Sequence, residues 1–150
     1  MRAALWTCFP PGGDRNSPAK QFFKRVNDGH LRLVAGGKLL EELKVYREFS
    51  HWWAQAVLSG NVLVVSAEKV AEKAKEVEPL CESDDPHVIA VAQLSGARLL
   101  FTNDRDLVKD FGDSRLIARP RGRVYTTLDR PAFSRVHREL LGSRNLCRVA

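Results

Sequence analysis

The segment from Ser83 to Asp110, SDDPHVIAVAQLSGARLLFTNDRDLVKD, carries two acidic clusters at a spacing that chemistry can use. Asp84 and Asp85 open an apolar helical pattern. A short apolar run follows and ends at Asp104 and Asp106. A helix that begins acidic, leading into a strand that ends acidic, brings carboxylates to one edge of a parallel sheet. Open α/β sheets place their sites at that edge. Carboxylates gathered there point to a hard divalent cation, Mg²⁺ or Mn²⁺, because such ions prefer oxygen ligands. Each cluster also has a plain structural reading. Asp104 ends the run RLLFTN and suits a helix N-cap, with Asp106 in a first turn that the helix dipole favours. Asp85 sits at the positive end of its own helix, with Ser83 or Asp84 as the cap.

Glu42 is a third acid of interest. In GGKLLEEL (36–43) the leucines 39, 40 and 43 face the core, which leaves Glu41 and Glu42 at the boundary or in solvent. The pair lies one turn beyond the strand LRLV. A helical glutamate taken alone is usually solvated. Other motifs are weaker. PPGGD lacks the lysine and spacing of a phosphate loop. His30, His51, His87 and His137 show no metal spacing. His87, one helical step from the acidic cluster, either touches substrate or serves capping and packing.

These residues need elements to hold them. Ser17-Pro18 has N-cap and first-turn chemistry, and the helix AKQFFKRVND stops at Gly29. LRLV (31–34) reads as a strand, and Gly36-Gly37 breaks the chain before the helix of leucines 39, 40 and 43. A helix from Arg47 to Leu58 turns Trp52, Trp53 and Val57 inward and stops at Gly60-Asn61. NVLVV (61–65) has strong β-propensity. Residues 67–77 form a charged helix whose Glu–Lys pairs support it. The helix from Asp85 to Leu94, the strand Arg98 to Phe101 and a helix near Arg105 to Phe111 follow. Val124 to Thr126 suits an edge strand, and Pro131 opens a final helix reaching Leu141. Helices alternating with short apolar strands predict an α/β fold with a parallel sheet and right-handed crossovers.

At 150 residues the chain fits one domain with a sizeable core. It has no apolar run near the roughly 20 residues that span a bilayer, and MRAALWTCFPPGG has too short an apolar core for a signal peptide. Cys8, Cys81 and Cys147 lie far apart without CxxC spacing, as incidental thiols of a reducing compartment do. The cytoplasm is the expected setting. The net charge of +6 is unevenly spread. From Arg115 onward nine arginines face only Asp129 and Glu139, a surplus of seven, so the first 114 residues carry −1. Arginine forks match phosphate geometry, and a nucleic-acid backbone is a natural partner. A basic, solvated surface is the plainer alternative.

From about residue 17 to residue 140 the chain resembles PIN-domain ribonucleases. The resemblance is carried by GGKLLEEL (36–43), SDDPHVIAVAQLSGARLL (83–100) and FTNDRDL (101–107). It implies a three-layer α/β/α fold with a central parallel sheet, and a Mg²⁺ or Mn²⁺ site that cuts RNA phosphodiesters, as in the toxins of toxin–antitoxin pairs. Glu42, Asp85 and Asp104 match the family's acidic ligands, Asp106 an auxiliary one, and Thr102 and Asn103 the small polar positions that support the site. Arg119, Arg121 and Arg123 would contact RNA. An antitoxin segment would cover the acidic groove, and homodimers would form. One acid of the family pattern is missing. An apolar first strand should end in an aspartate around residues 4–8, but the chain has no acid before Asp14, which lies in a Pro/Gly-rich loop. That strand is central in the family's sheet, so a truncated or replaced central strand is expected. Two other readings follow: an impaired PIN-like protein that binds RNA or a partner without cutting, and an α/β protein whose acids only cap helices.

Overall fold

The computed structural model describes residues 2–6 and 17–143. Asp14, Cys8 and Cys147, which the sequence reading singled out, lie outside the described residues. Five strands pair as one parallel sheet: β1 (Arg2–Trp6), β2 (Leu31–Gly36), β3 (Val62–Val65), β4 (Leu99–Phe101) and β5 (Arg123–Tyr125). Their spatial order is β3-β2-β1-β4-β5. The helices are α1 (Pro18–Asn27), α2 (Gly37–Lys44), α3 (Arg47–Ser59), α4 (Ala67–Val77), α5 (Pro86–Ser95), α6 (Arg105–Gly112) and α7 (Arg135–Gly142). The α/β class and the parallel sheet read from the sequence are present, flanked by helices as a three-layer arrangement.

The chain moves one way across the sheet from β1 to β3, then jumps over two strands to β4 and continues to β5. Right-handed crossovers then put α1 and the α4–α5 pair on opposite faces. α4 packs along α5, and α7 lies beside α1. On the α1 face, Phe22, Phe101 and Tyr125 meet at ring distances of 5.0–5.3 Å. The Tyr125 hydroxyl donates to the Pro18 carbonyl at 2.6 Å, tying β5 to the start of α1.

The central strand is not lost. β1 pairs with β2 on one side and β4 on the other, and Ala4 and Leu5 are fully buried. What Arg2–Trp6 lacks is a carboxylate. Two local expectations need correction. Pro131 does not open the last helix; Ser134 does, with its hydroxyl and the His137 ring forming a capping box. In α3 the inward residues are Phe49, Trp53 and Ala56, while Val57 is half exposed. Its position is one step round the helix from Ala56, and the partly buried Trp52 occupies the boundary by donating Nε1–H to Asn27 at 2.8 Å.

The turn that places α2 depends on two glycines. A side chain on Gly36 would meet the Val65 carbonyl oxygen at 2.4 Å, so only glycine permits that approach of β2 to β3. Gly37 has φ +53°, in the left-handed region where glycine carries no steric cost. Together they bend the chain at the C-terminal end of β2 and launch α2 over that end of the sheet, against α4 and α5.

Candidate metal centre at the sheet edge

Three of the elements that begin at the C-terminal edge of the strands carry the acids: α2 after β2, α5 before β4, and α6 after β4. α2 carries Glu42 toward α5. The Glu42 Oε2 lies 3.2 Å from Nε2 of His87, in the first turn of α5. A contact between an imidazole nitrogen and a carboxylate oxygen needs a proton, so Nε2–H donates to Glu42. Lys38, one turn earlier on α2, approaches the other Glu42 oxygen at 3.8 Å. His87 is buried, and Asp85 is half-buried beside it. Ligand atoms of Glu42, Asp85 and His87 all lie within 4.8 Å of one another.

Asp85 occupies the N-cap position of α5, yet its side chain makes no capping bond. Its backbone N–H donates instead to the Ser83 hydroxyl at 3.3 Å. Burial pushes the Asp85 carboxyl above the ordinary carboxylate range, and the charges of Glu42 and Asp104 push the same way, against His87 and Lys38. Like charges crowding a partly desolvated carboxylate are the arrangement a cation would relieve. Donors about 2.1 Å from one ion stand about 3 to 4 Å apart, so small rotamer changes, with the His87 proton moved from Nε2 to Nδ1, would let these three close on a divalent cation. Two carboxylates and an imidazole suit Mn²⁺ and related ions, and the nitrogen suits Mg²⁺ less. The residues fit a metal.

Asp104 plays a different part. Its Oδ1 accepts the Leu107 N–H at 2.9 Å, the N-cap bond of α6. It stands outside the close group but near enough to act on Asp85. Asp106 lies exposed in the first turn of α6, at its positive end, also outside the close group. Thr102 is buried, and its hydroxyl accepts the Asp104 N–H at 3.1 Å. Asn103 fastens β4 to the residues after β5: its Oδ1 accepts from Thr126 Oγ1 and Thr127 N, and its Nδ2 donates to Thr127 Oγ1. Both positions support the turn that carries Asp104.

The arginines fall elsewhere. Arg123 begins β5 in register with Leu99, the first residue of β4, and so marks the N-terminal end of the strands. Arg121 donates to the Gly112 carbonyl at the far end of α6, and Arg119 sits on the same loop. The structure therefore does not bring Arg119, Arg121 and Arg123 to the acidic edge. Cations among the described residues near that edge include Lys38 and Arg105, which follows Asp104 directly.

The sequence favours a capping or packing role for His87 over contact with substrate; its burial and its bond to Glu42 make it part of the group. Sequence reasoning missed Asp110 altogether. Asp110 is 2% exposed, on the face of α6 that also buries Leu107 and Phe111. The signal was present: an aspartate three residues after Leu107 lies on the apolar face of its helix. No protein-family model matches the chain, nor does any curated protein or solved structure compared with it.

Proposed function

We propose that this chain is a divalent-metal-dependent endoribonuclease of PIN type that hydrolyses RNA phosphodiester bonds. The carrying observation is the convergence of Glu42, Asp85 and His87 within 4.8 Å at the C-terminal edge of a parallel sheet. Glu42 and Asp85 would hold Mn²⁺ or Mg²⁺, with His87 as a third donor and Asp104 facing them from α6. A bound cation supplies a water of lowered pKa and neutralises charge on the phosphate under attack. The protein's own contribution is positional. α2 and α5 aim their donors at one point, Thr102 and Asn103 hold the turn of Asp104, and Lys38 and Arg105 offer positive charge to the RNA backbone. The resemblance extends the reading to the toxin of a toxin–antitoxin pair, whose antitoxin segment would cover this acidic edge.

The test is cleavage of single-stranded RNA with Mn²⁺ by the chain, Glu42→Gln and Asp85→Asn. Losing a ligand should lower the rate about 100-fold or more, and equal rates in the three proteins would overturn the assignment. A second reading is a metal-dependent RNA-binding protein that does not cut. It is favoured by the absence of a carboxylate on Arg2–Trp6 and by the use of Asp104 as a cap. Salt-dependent RNA binding by the unaltered chain, without Mn²⁺-dependent cleavage, would select it.

A further inference from the structure

Asp110 is a buried acid that neither the metal group nor the helix ends use. A carboxylate taken out of water is costly unless hydrogen bonds replace its hydration. Here both oxygens are used, and both by one distant loop: Oδ1 accepts the Glu82 N–H at 2.8 Å and Oδ2 accepts the Ser83 N–H at 3.0 Å. Gripping two consecutive amides fixes the direction of the chain as well as its position. The Ser83 hydroxyl then accepts the Asp85 N–H at 3.3 Å. The chain of bonds therefore runs from Asp110 through Ser83 to Asp85. It holds the Asp85 backbone at φ −120° and ψ 54°, the conformation in which the side chain makes no capping bond to α5. Packing alone does not call for an acid at this point of α6, since an apolar residue would continue the face of Leu107 and Phe111.

We propose that Asp110 is a positioning residue, which sets the Asp85 carboxylate against Glu42 and His87 by clamping residues 82–83. The inference rests on the metal-site reading above. Outer partners that orient a ligand are worth about 10- to 100-fold in metal affinity. The experiment measures Mn²⁺ affinity of the full chain at 25 °C by electron paramagnetic resonance of free Mn²⁺, with thermal melting in EDTA alongside. Asp110→Asn keeps the shape but turns an NH₂ toward one of the two amides, and should weaken Mn²⁺ binding about tenfold or more. Ser83→Ala breaks only the link to the Asp85 N–H and should weaken it less, with little change in melting. Tyr125→Phe, whose hydroxyl bonds to α1 on the face of the sheet opposite α5, serves as the control. It lowers stability by removing the bond to Pro18 and should leave Mn²⁺ affinity unchanged. A folded Asp110→Asn with unaltered affinity overturns the proposal. If Asp110→Asn does not fold, unaltered affinity in Ser83→Ala overturns it. Loss of affinity in Tyr125→Phe equal to that of the clamp variants also overturns it, because general destabilisation would then suffice. No Mn²⁺ binding by the unaltered chain overturns the metal reading itself, and the clamp's role with it.

Discussion

Replacing Asp85 by asparagine should make the metal-free protein more stable and the metal-bound one less so. Ligand oxygens of Asp85 and Glu42 lie within 4.8 Å of each other. Two unit charges at that distance repel by about 1 kcal/mol in a water-like medium and about 3.5 kcal/mol at an effective dielectric of about 20. The Glu42 side chain is 47% exposed, which favours the lower figure. Removing the charge at position 85 should therefore stabilise the metal-free fold by about 1 kcal/mol, or about 2–4 °C in melting temperature for a chain of this size. Adding Mn²⁺ reverses the order. At about 100 times its dissociation constant a ligand adds about 2.7 kcal/mol to the native state that binds it, and Asp85→Asn should forgo most of that gain.

The pH dependence carries a definite sign. Burial, then the Glu42 and Asp104 charges, hold the Asp85 carboxyl above its ordinary value of 3.8. Between the ordinary and the raised value the native state carries more protons at this site than the unfolded chain. Stability of the metal-free protein through this group therefore falls as pH rises through that window. Asparagine has no such fall. The advantage of Asp85→Asn should be absent in strong acid and complete above the raised value. Melting followed by circular dichroism, with EDTA or Mn²⁺, on either side of the window decides the matter. A variant that melts below the parent in EDTA at neutral pH, or that gains as much from Mn²⁺ as the parent, would refute the reasoning.

Three further outcomes are expected. His87→Gln should weaken Mn²⁺ binding about tenfold and Mg²⁺ binding less, since the imidazole nitrogen suits Mn²⁺ better; titration calorimetry with each ion measures the difference. Asp104→Ala should cost about 1 kcal/mol by removing the α6 cap, whereas Asp104→Asn should cost only a few tenths because asparagine caps as well. Thermal melts compare them, and the asparagine variant is the one to assay for activity. Arg105→Gln should reduce the salt dependence of RNA binding by about one unit of slope. By contrast, glutamine at positions 119, 121 and 123 should leave the cleavage rate at saturating RNA unchanged, because those residues lie at the other end of the strands.

The elements were legible in the sequence wherever a local rule decided them. Ser17 before Pro18 caps α1, the Lys20 N–H donating to its hydroxyl at 3.2 Å, and Gly60 and Gly96 end α3 and α5 in the left-handed region. The start of α2 and the end of α3 follow the pattern of apolar residues and glycines, and Ser66 caps α4. The start of α7 is not legible in the sequence because proline and serine both open helices, and the His137 ring decides for Ser134 only in three dimensions. β1 forms without the aspartate of the family pattern, because the burial of Ala4 and Leu5 between two neighbouring strands needs no acid.

The site was legible in part, for a related reason. Glu42 and Asp85 could be placed at one sheet edge because parallel topology fixes where helices begin. Whether an aspartate caps or faces its neighbours depends on which hydrogen bonds compete for it, and spacing does not record that competition. At Asp104 the Leu107 amide wins one oxygen. At Asp85 the Ser83 hydroxyl has already taken the backbone N–H, and the carboxylate has no capping bond. Ser83 is available because Asp110, 27 residues downstream, holds its own N–H. The difference between a cap and a candidate ligand is thus set by a residue on another helix. That dependence gives the clamp and the site one experimental handle: disturbing Asp110 should alter metal affinity at Asp85 even though the two carboxylates share no bond.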